Sequence, residues 1–348
     1  MLVLTLSAFL LSGCTKPLLP YSLDTPPLTL TPVSLASVKD ERGRFREIYC
    51  AVQKDHGSIL PFNRPCEEVI LRLEGEPNPT EKPVWLGQAK LKLRIFVVPG
   101  IYNDCIDASK AFSYARTHVE RYGYRTAYLS VSGMSRSTHN AMLIRDALLA
   151  ADLSPDEKVV LIGHSKGTPD ILQALVEYPE VTKKVAAVVS IAGAVGGSPL
   201  TDSIDKPYRD MIGKNLTIVC PPGIGDPILS LQRSTRQRWL SQNRLPASVK
   251  YFSLVAFAGK EDISTILQPS YDRLAEIDPR NDSQLIFFDQ LIPRCTLLGY
   301  VKADHWAVAM PFSQDRFMPT LIDKNEFPRE VLLEAIIRFV EEKLFDPD

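Results

Sequence analysis

From residue 92 onward, short apolar runs alternate with stretches of helical spacing. The runs are KLRIFVVPG (92–100), YRTAYLSVSG (124–133), KVVLIGHS (158–165), KVAAVVSIAG (184–193), VKYFSLVAFAG (249–259) and CTLLGYVKADH (295–305). Each is apolar throughout rather than at every second residue, as expected of strands covered on both faces. Between them lie DASKAFSYARTHVERYG (107–123), closed by Gly123, then STHNAMLIRDALLAADLSP (137–155), with Ser137 as its expected N-cap, and TPDILQALVEYP (168–179), with Pro169 in its first turn. PREVLLEAIIRFVEEKLF (328–345) closes the series as an amphipathic helix. Strands alternating with helices predict an α/β fold with a mostly parallel sheet and helices on both faces. Hydrophobic residues make up 45% of the 348, enough to fill such a core.

The third strand stops on Gly163-His164-Ser165-Lys166-Gly167. In a parallel sheet, ligands bind beyond the carboxyl ends of the strands. A sharp strand-to-helix turn there lifts one side chain clear, and small residues two before and two after it let the backbone segments approach. The following helix turns its N–H groups and positive dipole end toward the site. On these residues the chain resembles the α/β-hydrolase superfamily, and within it the bacterial lipases and esterases, over residues ~90 to 345. The resemblance implies a serine nucleophile at Ser165, an acyl-enzyme intermediate, and no cofactor or metal.

A serine hydroxyl needs a base. The order in this superfamily is nucleophile, acid, histidine. Of His56, His118, His139, His164 and His305, only the last follows Ser165. His164 is its immediate neighbour and is expected to point the other way. His305, in KADHWAVAMP, is therefore the candidate base. The acid should lie between the strand YFSLVAFAG and His305, where Glu261, Asp262, Asp282 and Asp289 stand. Asp282 is preferred because DPRNDSQLIFFDQLIP resembles the Asn-Asp-Gly-x-Val region of bacterial lipases, with Ser283 in the glycine position. Asp262, soon after the strand, is the alternative.

The same resemblance implies two backbone donors for an oxyanion. One is the N–H of Lys166. The other is assigned to Ile101, after Gly100 in VVPGIYNDC. The insertion at 194–247 is too long for a simple connection. It is read either as a cap with Leu229, Leu231, Trp239 and Leu240 on its apolar underside, or as a helical excursion packed on the domain.

The first ninety residues have a different character. Residues 1–13 are a short apolar run with the length of a signal-peptide core. Leu11-Ser12-Gly13-Cys14 resembles the lipobox of bacterial lipoproteins. That resemblance implies cleavage before Cys14, lipidation of Cys14 and a membrane partner, with Thr15 implying an outer-membrane destination. Residues 14–35 read as a Pro-rich tether, and 36–90 as an N-terminal helical extension to the hydrolase domain at 91–348.

Export permits disulfides. With Cys14 lipidated, five cysteines remain, so one is left over. Cys50 and Cys66 form the best local pair, while the pairing of Cys105, Cys220 and Cys295 stays open. No Cys-x-x-Cys or His-Glu-x-x-His spacing points to zinc. A net charge of −1 without long blocks of one sign argues against a nucleic-acid partner. The leading expectation is a lipid-anchored esterase or lipase of the cell envelope acting on a small-molecule ester or lipid. A thioesterase or amidase with the same triad, or a binding lipoprotein that kept the fold, are the alternatives.

Overall fold

The computed structural model describes residues 37–105, 110–202 and 220–345. The expected leader, the lipidation site at Cys14, the tether and part of the insertion lie outside these residues.

The elements in chain order are β1 (Lys39–Asp40), α1 (Arg42–His56), α2 (Cys66–Val69), β2 (Ile70–Leu71), β3 (Leu93–Val98), α3 (Ser113–Glu120), β4 (Arg125–Tyr128), α4 (Ser137–Ala150), β5 (Lys158–His164), α5 (Gly167–Glu177), α6 (Pro179–Thr182), β6 (Val185–Ile191), α7 (Pro199–Asp202), α8 (Arg233–Gln242), β7 (Lys250–Ala256), α9 (Gln268–Ala275), β8 (Thr296–Val301) and α10 (Arg329–Phe345). The sheet runs β1-β8-β7-β6-β5-β3-β4. Its pairs are parallel except for β2, which lies antiparallel on β8.

Strand residues alternate between two cores. Leu93, Ile95, Val97, Val160 and Ile162 pack with Phe45, Ile48, Val119, Ile336 and Phe339, beneath α1, α3 and α10. Phe96, Val98, Val159 and Leu161 pack with Ile144, Leu148, Ile171 and Leu172, beneath α4 and α5. The apolar runs are thus strands with both faces buried, except at β4, an edge strand whose residues are exposed or half-buried.

Several local expectations change. Ser137 is the first helical residue of α4, and Arg136 holds the cap position. The Ser137 N–H donates instead to Ser230 Oγ at 3.0 Å, a hydroxyl supplied by the insertion. Within the extension expected to be helical, the chain after Pro65 is helical only at Cys66–Val69, then joins the sheet edge as β2. The extension therefore contributes two short strands as well as helices.

The last helix is buried almost all round rather than on one stripe. Its polar face is covered by the extension. Arg338 donates to the carbonyls of Trp85, Leu86 and Gly87. Glu341 accepts from the N–H groups of Lys90 and Leu91 and from the Tyr124 hydroxyl. Glu342 pairs with Arg44 on α1 at 2.5 Å. Buried charges persist only when paired in this way.

Cys50 on α1 is bonded to Cys66 on α2, across 16 positions. Cys105 is bonded to Cys220. Cys295 is free and buried. The first bridge pins the chain leaving α1 to the edge of β8. Replacing both Cys50 and Cys66 by Ser should lower the unfolding free energy by about 3 kcal/mol, the loop-closure value for a ring of that size. Urea unfolding of the double variant measures it; an unchanged midpoint would show that the bridge constrains nothing.

Candidate active site

The strand order sets the place of the site. From β3 the chain moves to β4 on one side and then returns to β5 on the other. The loops after β3 and β5 therefore part and open a crevice at the carboxyl ends of the strands. Ser165 stands there, between the end of β5 and the start of α5, with φ of +54°. A side chain in this left-handed conformation costs about 1–2 kcal/mol and persists only where its surroundings fix it.

The surroundings are specific. A Cβ at Gly163 would lie 2.7 Å from the Cα and N of Thr168, and one at Gly167 would fall on the carbonyl oxygens of Val98 and Pro99. One at Gly100 would lie 2.8 Å from Ser165 Cβ. The bare glycines let the two strand ends and the helix meet. The Ser165 carbonyl accepts from the N–H groups of Thr168 at 3.2 Å and Ala194 at 3.0 Å. Thr168 Oγ1 donates to the Gly163 carbonyl at 2.9 Å.

His305 arrives on the loop after β8. Its Nε2 lies 2.8 Å from Ser165 Oγ, and its Nδ1 lies 2.7 Å from Asp282 Oδ2. A carboxylate only accepts, so Nδ1 carries the proton and Nε2 is free to accept from the serine hydroxyl. Asp282 is fully buried. Its Oδ1 accepts from the N–H groups of Gln284 at 2.9 Å and Leu285 at 2.7 Å. Its backbone carbonyl accepts from the His305 N–H at 2.8 Å. Acid and histidine are thus joined through both backbone and side chains, although 23 positions separate them. Ser283, in the position where the resembled region carries glycine, has φ of +79°, and its buried hydroxyl has no partner among the described residues.

The other expected acids are elsewhere. Asp262 pairs with Lys302 at 2.8 Å, and Glu261 is exposed on the same turn. Asp289 lies behind the serine loop, where its carbonyl accepts from the Gly196 N–H at 2.7 Å. Burial pushes its carboxyl up to about 7. Lys166 follows Ser165 in the chain, and Ile101 follows Gly100, which lies against Ser165; neither backbone N–H meets a backbone acceptor among the described residues. Ile101 packs with Ala194, Leu231 and Leu285 beside the serine. Trp239 and Leu240, expected under a cap, instead pack on the core beneath α4 and α5, and Leu229 is exposed. Of that set, Leu231 alone joins the apolar cluster beside Ile101.

Sequence reasoning missed three supporting groups. His164 does not turn away: its Nε2–H donates to the His305 carbonyl at 3.0 Å, and the two rings lie 4.9 Å apart. Complete burial, with His305 beside it, pulls its pKa down to about 3 and keeps it neutral. Asp304 is buried and accepts from the N–H groups of Ser264, Trp306 and Ala307, which fixes the loop that carries His305. Burial raises its pKa. The Lys166 ammonium bonds Asp170 at 2.8 and 2.9 Å, beneath the turn. Of these, only the Lys166–Asp170 spacing of four had a signal in the sequence.

One group of potential metal ligands converges among the described residues, at His56, His118 and Glu334, away from Ser165. Glu334 already pairs with Arg338 at 2.6 Å and accepts from both imidazoles. The carboxylate is satisfied and neutralised, and a cation there would face the Arg338 guanidinium.

No protein-family model and no curated protein matches the chain. Among solved structures, a metagenomic carboxyl esterase, MGS0156, is 45% identical, with a TM-score of 0.87 over 92% of this chain and 97% of that one. The mature lipase BlEst2 of Bacillus licheniformis is 21% identical, with a TM-score of 0.54 over 69% of this chain and 96% of its own. The lipase of Staphylococcus hyicus is 13% identical at the same TM-score, over 75% of this chain and 98% of its own. The two lipases share the fold.

The geometry at position 283 gives a stability test. Ser283→Gly removes a side chain held in the left-handed region and a buried hydroxyl without a partner. It should raise stability by about 1 kcal/mol after the entropy cost of glycine, a gain of about 1–2 °C in Tm for a chain of this length. Calorimetry would read it; a lower Tm would mean that the hydroxyl is bonded after all.

Proposed function

The chain belongs to the carboxyl esterases of the α/β-hydrolase fold, and on that basis we propose that Ser165, His305 and Asp282 form the triad by which it cleaves carboxylic esters. The observation that carries the assignment is the unbroken relay from Ser165 Oγ through His305 to Asp282, at 2.8 and 2.7 Å. Being a carboxylic-ester hydrolase, the protein is an enzyme and not a binding protein that merely kept the fold.

In this reading Ser165 Oγ attacks the acyl carbon while His305 Nε2 takes its proton. Asp282 holds the imidazole in the required tautomer and stabilises its charged form. The N–H groups of Lys166 and Ile101 receive the oxyanion. Collapse of the tetrahedral intermediate breaks the ester C–O bond, and Nε2–H protonates the leaving alcohol. Water then attacks the acyl-enzyme by the same path and releases the acid. The preset geometry matters more than basicity alone, because oriented donors need no reorganisation when charge develops.

Ser165→Ala should lower ester turnover by about 10⁴-fold or more, with the fold retained. His305→Ala should cost nearly as much, since members of one relay do not contribute additively. Asp282→Asn should cost less than either, and Asp262→Asn should be near normal. A p-nitrophenyl ester series with fluorophosphonate labelling reads all four. Wild-type turnover by folded Ser165→Ala would end the catalytic reading, and the reverse order of the two aspartates would move the acid to Asp262.

The proposal extends to location. We read the Leu-Ser-Gly-Cys sequence as a lipidation site at Cys14, with 14–35 as tether and the outer membrane of the cell envelope as destination. The Cys50–Cys66 and Cys105–Cys220 bonds support an oxidising compartment. Cys14→Ala should move the protein from the membrane to the soluble fraction. Sedimentation with membranes as in wild type would defeat this part and leave the hydrolase untouched.

A further inference from the structure

The proposed oxyanion donors come from different loops. One follows β5, at Lys166, and the other follows β3, at Ile101. Catalysis needs them held at a fixed separation, to within about 0.5 Å. Their strands are neighbours, but the turns beyond them are not part of the sheet.

A buried polar chain links the two. Lys166 is tied to Asp170 twice: its carbonyl accepts the Asp170 N–H at 3.2 Å, and its ammonium bonds the Asp170 carboxylate at 2.8 and 2.9 Å. Both side chains are 1% exposed. Asn140, on α4, donates to the same carboxylate at 2.7 Å. It also donates to the Ser132 carbonyl at 2.9 Å and accepts the Ser132 N–H at 3.1 Å. The next carbonyl, that of Gly133, accepts the N–H of Tyr102 at 3.4 Å. Tyr102 adjoins Ile101. The path thus runs from the turn that carries Ser165, through two helices, to the loop that carries the second donor.

The charge in this path is not neutral. Arg236, on α8 of the insertion, is 2% exposed and donates to the Val195 carbonyl at 3.1 Å. Asp170 supports its charge, while burial pulls its pKa down to about 10. Arg236 thus adds a second buried cation in the neighbourhood of the Lys166–Asp170 ion pair. Burial likewise lowers the Lys166 ammonium, with Asp170 opposing that shift.

We propose that Lys166, Asp170 and Asn140 form a positioning relay for acyl transfer, which holds the backbone donors at Lys166 and Ile101 in register with each other. The proposal rests on the triad and oxyanion reading above. The side chains do not touch the substrate; they act through the two backbone N–H groups.

Lys166→Met is the primary test. It keeps the Asn140 bond to the Asp170 carboxylate, and its Tm reads what loss of the ion pair costs. On a p-nitrophenyl ester, kcat should fall about 10- to 100-fold, short of the 10²- to 10³-fold that loss of one oxyanion donor costs. KM should stay within about twofold. Affinity for a trifluoromethyl ketone, whose serine adduct carries the oxyanion, should fall in step with kcat, since it reports transition-state binding. Lys166→Arg should restore part of both. Asn140→Ala, which leaves the Lys166–Asp170 pair intact, should lower both in the same proportion, and its effect should not add to that of Lys166→Met.

A purely structural role would lower Tm and leave the ratio of ketone affinity to ester KM unchanged. Wild-type kcat and ketone affinity in folded Lys166→Met, or in folded Asn140→Ala should the first variant fail to fold, would overturn the relay. Ser165→Ala separates the two levels. If it is inactive while the relay variants are normal, only the relay fails; if it is active, the triad reading fails first.

Discussion

A missing β-carbon at residue 167 governs the whole site. Helix α5 starts against the carbonyl oxygens of Val98 and Pro99, where a Cβ has no room. That contact brings the end of β3 and the start of α5 together. It forces the chain to reverse within Ser165 and Lys166, and so puts Ser165 in the left-handed region. The strain is held by hydrogen bonds to its carbonyl from two different segments. Everything that follows, from the serine's exposure at the crevice to the approach of His305, depends on that reversal keeping its shape. An interior that is close-packed at this point stores the strain more securely than a flexible loop could.

Much of this was legible in the sequence, and the reasons are physical. Strands buried on both faces must be apolar throughout, so β3 and β5 to β8 announce themselves. The glycine spacing around Ser165 follows from steric exclusion, which is local and leaves a mark in the sequence. His305 could be singled out because only one histidine follows the serine. Asp282 needed more, since several carboxylates stand in the same interval and nothing local separates the one that meets Nδ1. What marks it is a turn that demands a left-handed residue, and Ser283 obscures that signal by occupying a place suited to glycine. His164 was misjudged because the alternation of a strand predicts where a side chain leaves the backbone, not which backbone carbonyl a later loop will bring to it.

The charged residues of the interior were the least legible. Arg236, Glu334, Arg338 and Glu341 lie at positions that read as a solvated helix face. They are buried because partners distant in sequence cover them: residues 85–91 over Arg338 and Glu341, His56 and His118 over Glu334, and Val195 beside Arg236. Helical periodicity sees one element at a time and carries no information about such covering segments. The result is a sheet domain with apolar cores on its two faces and buried ionic seams where the extension and the insertion are laid upon it. Removing one partner from a seam is costly in a way that its surface-like sequence conceals.

The short strand β1 also fixes a direction. Lys39 pairs with Thr296, the first residue of β8, in parallel register. The chain therefore enters the domain at the end of the sheet where the strands begin. Ser165 and His305 follow the opposite ends of β5 and β8. The last helix finishes beside the entry point, where Lys343 meets Glu41 at 3.1 Å. The described residues thus begin and end at one pole of the molecule, and the crevice opens at the other. The anchor proposed at Cys14 would thus be joined to the enzyme through its base, at the pole opposite the site.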